Sequence, residues 1–379
     1  MNANLCYPWS VFVSNGEVFI ADTYNHRVRK LLRNGQIVTI AGDGNIAPGG
    51  DDGDGELATY SQLNYPIGIA VSTSNQVYIS EDCNYKIRKI DRHGIISTIA
   101  GTGVRGYNGD NQLAVHAQLY FPRGLFVTED EEVYFCDMGN HRVRKIDRFG
   151  MISTIAGNGE EGYNGDDLLA TNAKLHFPSS VYVYNNEVYI TDTKNNRIRK
   201  VLQNGIITTI AGTGEKGYNG DDQPAFYSKL YFPSTICVHN DQVYFSDHYN
   251  HRVRKILPNG TIKAVAGNGS KGNGGDGNLA IEAELKYPTG LFLDDSGIYI
   301  CCNQDSRIRK VDSNGIIRTI VGTGEYGYSG DVPFDFQKFP HIGPRKKQLI
   351  QPFPKALHDI LIIHEVCGTC EPLSKKVKY

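Results

Sequence analysis

A unit of about 55 residues recurs six times along this 379-residue chain, and any fold proposed for it must accommodate that period. The most constant part reads VFIADTYNHRVRK, VYISEDCNYKIRK, VYFCDMGNHRVRK, VYITDTKNNRIRK, VYFSDHYNHRVRK and IYICCNQDSRIRK. The arginine before the closing lysine is Arg29, Arg88, Arg144, Arg199, Arg254 and Arg309, so the steps are 59, 56, 55, 55 and 55 residues. Each copy runs on into NG-I-x-TIAG or a close variant, as in NGIITTIAGTG at 204–214.

One copy offers four short strands. In the fourth they are VYVY (181–184), EVYIT (187–191), RIRKVL (197–202) and IITTIAG (206–212). Asn185-Asn186, the stretch 192–196 and Asn204-Gly205 separate them, and Asn-Gly between apolar runs favours a hairpin because both residues tolerate positive φ. Four antiparallel strands per unit with a longer link between units describe a propeller blade. The expectation is all-β: a six-bladed β-propeller of four-stranded antiparallel blades with long inter-blade loops. The 42 glycines and 23 tyrosines, against 3 methionines, suit short strands and many turns. The propeller is expected over 1–331, with an irregular tail over 332–379.

The patterns P-x-G-[VIL]-x-V, VY-x-x-D-x-x-N-x-R-[IV]-RK and G-x-I-x-TIAG-x-G resemble the NHL-repeat family over about residues 3–331. That resemblance implies a six-bladed propeller. It does not select a function, since propellers host binding, scaffolding and catalysis alike.

The links carry GYNGD at 106–110, 162–166 and 217–221, GYSGD at 327–331 and GNGGD at 272–276. No copy has the Lys-Ser/Thr of a phosphate-binding loop, and the acidic run 51–56 misses calcium-hand spacing. The reading is a connector: an Asn-Gly turn, an aspartate N-cap and a short helix over residues such as Ala170, Ala173 and Leu175, with Pro224 in the first turn of its copy. Connectors and strand-2-to-strand-3 turns leave a blade on the same side, so together they form one rim. Candidate binding residues there are Tyr107, Asn108, Tyr163, Asn164, Tyr218 and Asn219 from the connectors, and His26, His141 and His251 from the turns.

Two charged columns flank each turn. Asp22, Glu81, Asp137, Asp192 and Asp247 precede it, with Cys302 in the sixth copy; Arg27, Lys86, Arg142, Arg197, Arg252 and Arg307 follow it. They read as a repeated ion pair or turn cap. The sharper alternative is a basic ring gripping RNA, as the resemblance to tripartite-motif NHL domains implies. Against it, 41 acidic residues offset 39 basic ones, for a formal net charge of −2.

Three histidines in one column suggest zinc. However, turns about 12–15 Å from the axis put them roughly 20–25 Å apart, too far for one ion. The channel column Ser10, Gly68, Gly124, Ser180, Thr235 and Gly290 holds no carboxylate, histidine or cysteine. A metal-dependent lyase or lactonase, which the resemblance also brings into view, therefore lacks its ligands. In the tail, His364, Cys367 and Cys370 form H-x-x-C-x-x-C, a weak metal candidate without a fourth ligand nearby.

No run of 18 uncharged apolar residues and no signal peptide is visible, so no membrane insertion is expected and the cytoplasm is favoured. The chain is expected to be a non-catalytic module that binds a protein or peptide on its rim and needs no cofactor. Its sixth copy, with Cys302 for aspartate and Asp305 for the turn asparagine, is expected to be the least secure.

Overall fold

The computed structural model describes residues 3–46 and 53–331. Six antiparallel sheets follow one another at 8–41, 66–100, 122–156, 180–211, 233–266 and 288–321. Their innermost strands are Pro8–Ser14, Pro66–Val71, Pro122–Val127, Ser180–Tyr184, Pro233–His239 and Pro288–Asp294. Each packs against the next, and the sixth returns to the first. This is the expected six-bladed propeller, with one refinement: Gln112–Leu113, Leu168–Leu169 and Gln223–Pro224 add a short fifth strand to blades three, four and five. Pro224 stands on that outer edge opposite Thr261, where a missing N–H disrupts no ladder.

Blades stack face to face, so strands inside them are apolar on both sides. Glu187–Asp192 buries every residue after Glu187. One core joins Cys136 and Val143 of blade three to Val181, Val188 and Ile190 of blade four. Where the inner strands of neighbouring blades meet there is room only for small residues: a Cβ on Gly290 would lie 2.6 Å from the Trp9 carbonyl oxygen.

The polar heart of each blade is the arginine that marks the repeat. All six are among the largest fully buried side chains. Arg199 pairs through Nη1 with Asp192 Oδ2 at 3.3 Å, and through Nη2 with Asp166 Oδ1 of the connector at 3.0 Å. Asp192 also accepts from the His176 backbone N–H at 2.7 Å and from Asn195 Nδ2 at 2.8 Å. Arg144 takes Asp137 and Asp110, Arg254 takes Asp247 and Asp221, and Arg88 takes Glu81 and Asp54. Burial pushes the Asp192 carboxyl up to about 6, against the pull of Arg199 and Asn195, so it is ionised at neutral pH.

Two sequence expectations are corrected here. Asp22, Asp137, Asp192 and Asp247 pair not with Arg27, Arg142, Arg197 and Arg252 but with the arginine two residues further on. The nearer arginine stands at the rim end of its strand and donates to loop carbonyls instead, as Arg197 does to Asn195 and Thr213. The connector aspartate is not a helix N-cap either. Asp166 is held by Arg199 and Thr209, and the single 3-10 turn Ala170–Asn172 follows Leu169 with no side-chain cap. In this blade the buried guanidinium takes both carboxylates, and its need for counter-charge outweighs one turn's need for a cap.

The ring closes through a connector, not through a shared strand. Blade one is continuous from Pro8, and Asp331 reaches back to Arg29 at 2.5 Å. Asn25 Nδ2 donates to the Gly327 carbonyl, and the Asn4 backbone N–H to Ser329 Oγ at 2.9 Å. Tyr7 and Tyr326 stack with centroids 4.9 Å apart.

Asp192→Ala strips Arg199 of one carboxylate and orphans two donors, so it should destabilise by about 3 kcal/mol. An unchanged thermal melt would contradict the ion-cluster account. In blade six, Arg309 keeps Asp276 at 2.6 Å, but Cys302 stands where the inner carboxylate belongs. Amides of 298–311 should therefore exchange with deuterium before those of 187–200; equal protection would show the substitution to be neutral.

Candidate functional site

The strand-2-to-strand-3 turns share one build, a 3-10 turn in every blade but the second, each ended by a left-handed residue. In blade four, Thr193–Asn195 makes one 3-10 turn and Asn196 ends it at φ 50°. His26, Tyr85, His141, His251 and Ser306 hold the same left-handed position elsewhere. Beside each turn lies the aromatic residue that precedes an inner strand: Tyr7, Tyr65, Phe121, Phe177, Phe232 and Tyr287, at φ between 47° and 61°. Bulky residues rarely adopt this conformation, and six of them here place aromatic rings on one face.

The histidines bind the blades together. His26 Nδ1 accepts the Tyr65 N–H at 3.3 Å, His141 the Phe177 N–H at 3.3 Å and His251 the Tyr287 N–H at 3.4 Å. In blade four, Asn196 Oδ1 does the same for Phe232 at 3.0 Å. Burial lowers all three histidines to about 4, so they are neutral acceptors. Nearer the axis, Thr23 donates to Pro66 O at 2.7 Å, Thr193 to Pro233 O at 2.8 Å and Asn303 to Pro8 O at 3.4 Å. Between blades two and three, Asp82 and Arg123 form an ion pair at 2.8 Å, and Arg123 lies over the single tryptophan, Trp9.

The connector residues are brought onto the same face, with their polar groups already engaged. Tyr107, Tyr163 and Tyr218 lie under Arg142, Arg197 and Arg252 at 3.8 Å. Their hydroxyls donate to Asp110, Asp166 and Asp221. Asn108 Nδ2 donates to His116 O while its Oδ1 accepts the Gln118 N–H, and Asn164 and Asn219 repeat this within their own connectors. What these residues leave exposed is the tyrosine edge. Lys86 and Arg307 keep their places in the arginine column, and Arg307 takes Asp305 at 2.6 Å.

Sequence reasoning passed over the positions that differ between blades. One is the residue before the connector's first glycine motif, GY or GN: Arg105, Glu161, Lys216, Lys271 and Tyr326. Each meets the start of an inner strand. Arg105 lies over Tyr120, Glu161 pairs with His176 and Lys216 lies over Tyr231. Aligning the copies and subtracting the shared framework would have found them.

Among the described residues, no group of three or more histidines, cysteines or acids is placed to hold a metal, and His364, Cys367 and Cys370 lie outside those residues. No helix among the described residues is long and apolar enough to cross a membrane.

A closed ring of six blades with a repeated turn-and-connector face defines a propeller of the kind built from short strand repeats. The sequence profile of the teneurin NHL domain matches residues 31–108 and 260–334, and that of the NHL repeat matches 5–31. The chain is an NHL-repeat six-bladed β-propeller. It is 26% identical over 347 residues to chicken (Gallus gallus) NHL repeat-containing protein 2, covering 81% of this chain and 46% of that one. It is 31% identical over 283 residues to mouse (Mus musculus) teneurin-4, covering 65% of this chain and 10% of that protein. The chain thus spans less than half of these curated relatives. A solved streptogramin B lyase superposes with a TM-score of 0.51 at 14% identity, covering 88% of this chain and 86% of that one, a likeness of fold alone.

The histidine locks carry a pH signature. A histidine lowered to about 4 on folding gives its full stabilisation above its ordinary value of 6.5, and loses it as pH falls from there towards 4. The buried aspartates, raised to about 6, act in the opposite sense over an overlapping window. A variant comparison separates the two. Replacing His26, His141 and His251 together by Asn, which serves in blade four, should leave Tm nearly unchanged at pH 7.5. At pH 5 the variant should melt higher than the parent chain. An equal difference at both pH values would refute the role given to the imidazoles.

Proposed function

We propose that the propeller of residues 1–331 is a non-catalytic interaction module that holds a protein or peptide on its turn-and-connector face. The observation that carries this is the contrast on that face between a rigid, repeated frame and side chains that change from blade to blade: Arg105, Glu161, Lys216 and Lys271 at one position, Tyr24, Gly139, Lys194 and Gln304 at another. A frame cross-linked by buried ion clusters keeps those variable groups at fixed spacing, which lowers the ordering cost of binding. The column from Ser10 to Gly290 holds only hydroxyls and glycines, and beside it Asp82 and Arg123 are paired with each other. This weighs against the lyase and lactonase readings that the fold permits. The segment 332–379 is proposed to stand outside the repeat.

Charge reversal tests the face. Arg105→Glu with Lys216→Glu alters the rim without touching a buried cluster, while Arg92→Glu with Arg148→Glu alters exposed turns at the opposite end of the blades. Proteins retained by the full chain, quantified by mass spectrometry, should be lost with the first pair and kept with the second. Retention that depends only on the second pair would move the binding surface to the other face.

A further inference from the structure

One sector of the rim differs chemically from the rest. From blade five into blade six runs a continuous row: Lys216 over Tyr231 at 5.8 Å, Tyr231 against Tyr249 at 4.8 Å, Tyr249 against Tyr287 at 5.6 Å, and Lys271 over Tyr287 at 4.5 Å. Three tyrosine rings are thus flanked by an ammonium at each end. Lys216 and Lys271 are exposed, and the rings are half-buried. Lys286, next to Tyr287 in the chain, adds a third positive charge beside the row.

These lysines lack the counter-charges their neighbours have. On the connectors that enter blades four and five, Lys174 pairs with Glu160 at 2.8 Å and Lys229 with Glu215 at 2.7 Å. Lys30, Lys145 and Lys200 on the third strands likewise each hold a glutamate. Among the described residues, no carboxylate lies within ion-pair distance of Lys216, Lys271 or Lys286, and Lys271 Nζ donates to the Tyr287 hydroxyl at 3.0 Å. The acids closest in sequence are committed elsewhere: Glu215 to Lys229, Asp276 to Arg309, and Glu284 to the Gly274 N–H. His248 and His251, which touch Tyr287, are neutral near pH 7.

We infer that this row is a docking strip for an acidic peptide segment, whose carboxylates meet Lys216 and Lys271 while an apolar or aromatic side chain lies on Tyr231, Tyr249 and Tyr287. The inference rests on the proposed peptide-binding face and adds the sector and the partner's charge. A long nucleic acid fits less well, because two flanking ammoniums and a third beside them would neutralise few phosphates on a molecule whose overall charge is −2.

A random peptide display library selected on the immobilised full chain tests it, with fluorescence anisotropy on the enriched peptides, on a Glu/Tyr peptide, on its Lys/Tyr counterpart and on oligouridylate. Enriched sequences should be rich in Asp and Glu. The Glu/Tyr peptide should bind, weaken with salt, and lose at least about tenfold in affinity in Lys216→Glu/Lys271→Glu; tenfold corresponds to about 1.4 kcal/mol. Lys174→Glu/Lys229→Glu should change it less than about twofold. Enriched peptides without acidic bias that still depend on Arg105 or Glu161 would overturn this strip and leave the binding face standing. Peptides that ignore every rim substitution would overturn both readings. Oligouridylate binding more tightly than the acidic peptide, or equal binding by the Lys/Tyr peptide, would also reject the strip.

Discussion

In blades one to five a guanidinium buried between two carboxylates holds the blade together, and in the sixth Arg309 keeps one of them. Taking one arginine out of water is costly, and the cost is met only when its hydrogen bonds are satisfied by charged partners in fixed places. One partner comes from the blade's own second strand, the other from the connector that arrives from the preceding blade. The same cluster therefore folds the turn and seats the connector. Asn195 extends it, giving one hydrogen to Asp192 and another to the Gly162 carbonyl. Without the arginine, the connector would have no reason to lie where it does, and the rim would have no fixed shape. Blade two shows the tolerance of the arrangement: its connector is longer, its inner acid is Glu81, and Arg88 still finds both carboxylates.

Because the polar demands of turn and connector are met internally, the face is divided between groups that build it and groups that vary on it. The histidines belong to the builders. Three of them sit at one repeated position, which invites a metal reading, but each is turned towards a neighbouring blade's N–H. The tyrosines of GYNGD belong there too, pinned between an arginine and an aspartate. The residues left over, such as Arg105, Glu161 and Lys216, are those that the repeat does not specify.

Much of the architecture was legible from period and turn chemistry. Six arginines at near-constant spacing set the blade count, and Asn-Gly pairs marked the hairpins. The extra edge strands were not legible, because a two-residue pairing such as Leu168–Leu169 leaves no periodic signal. Nor was the correct salt bridge. Asp192 faces Arg197 across the ladder, and sequence proximity favoured that pair. The side chain that reaches the carboxylate is Arg199, one pleat deeper, because only there is the charge buried deeply enough to need two acids. The turn-and-connector face followed from topology, but which of its residues are engaged did not, since that depends on where each hydrogen bond goes.

Many closed rings lock by interleaving strands from both ends of the chain in a single sheet. Here blade one is self-contained, and beside the apolar core it shares with blade six the connector adds a clasp: Asp331 on Arg29, Gly327 under Asn25, Tyr326 against Tyr7. A clasp of side chains and a clasp of sheet differ in how they respond to force. Tension drawing residue 331 away from blade one would load the Asp331 ion pair, the Asn4 and Asn25 hydrogen bonds and the Tyr326 ring stack in turn, as in peeling, rather than the full ladder of a strand all at once. The connector can then peel while all six blades keep their strands, and the apolar core in which Val11 and Ile20 meet Tyr299 and Ile308 must still part before the ring opens.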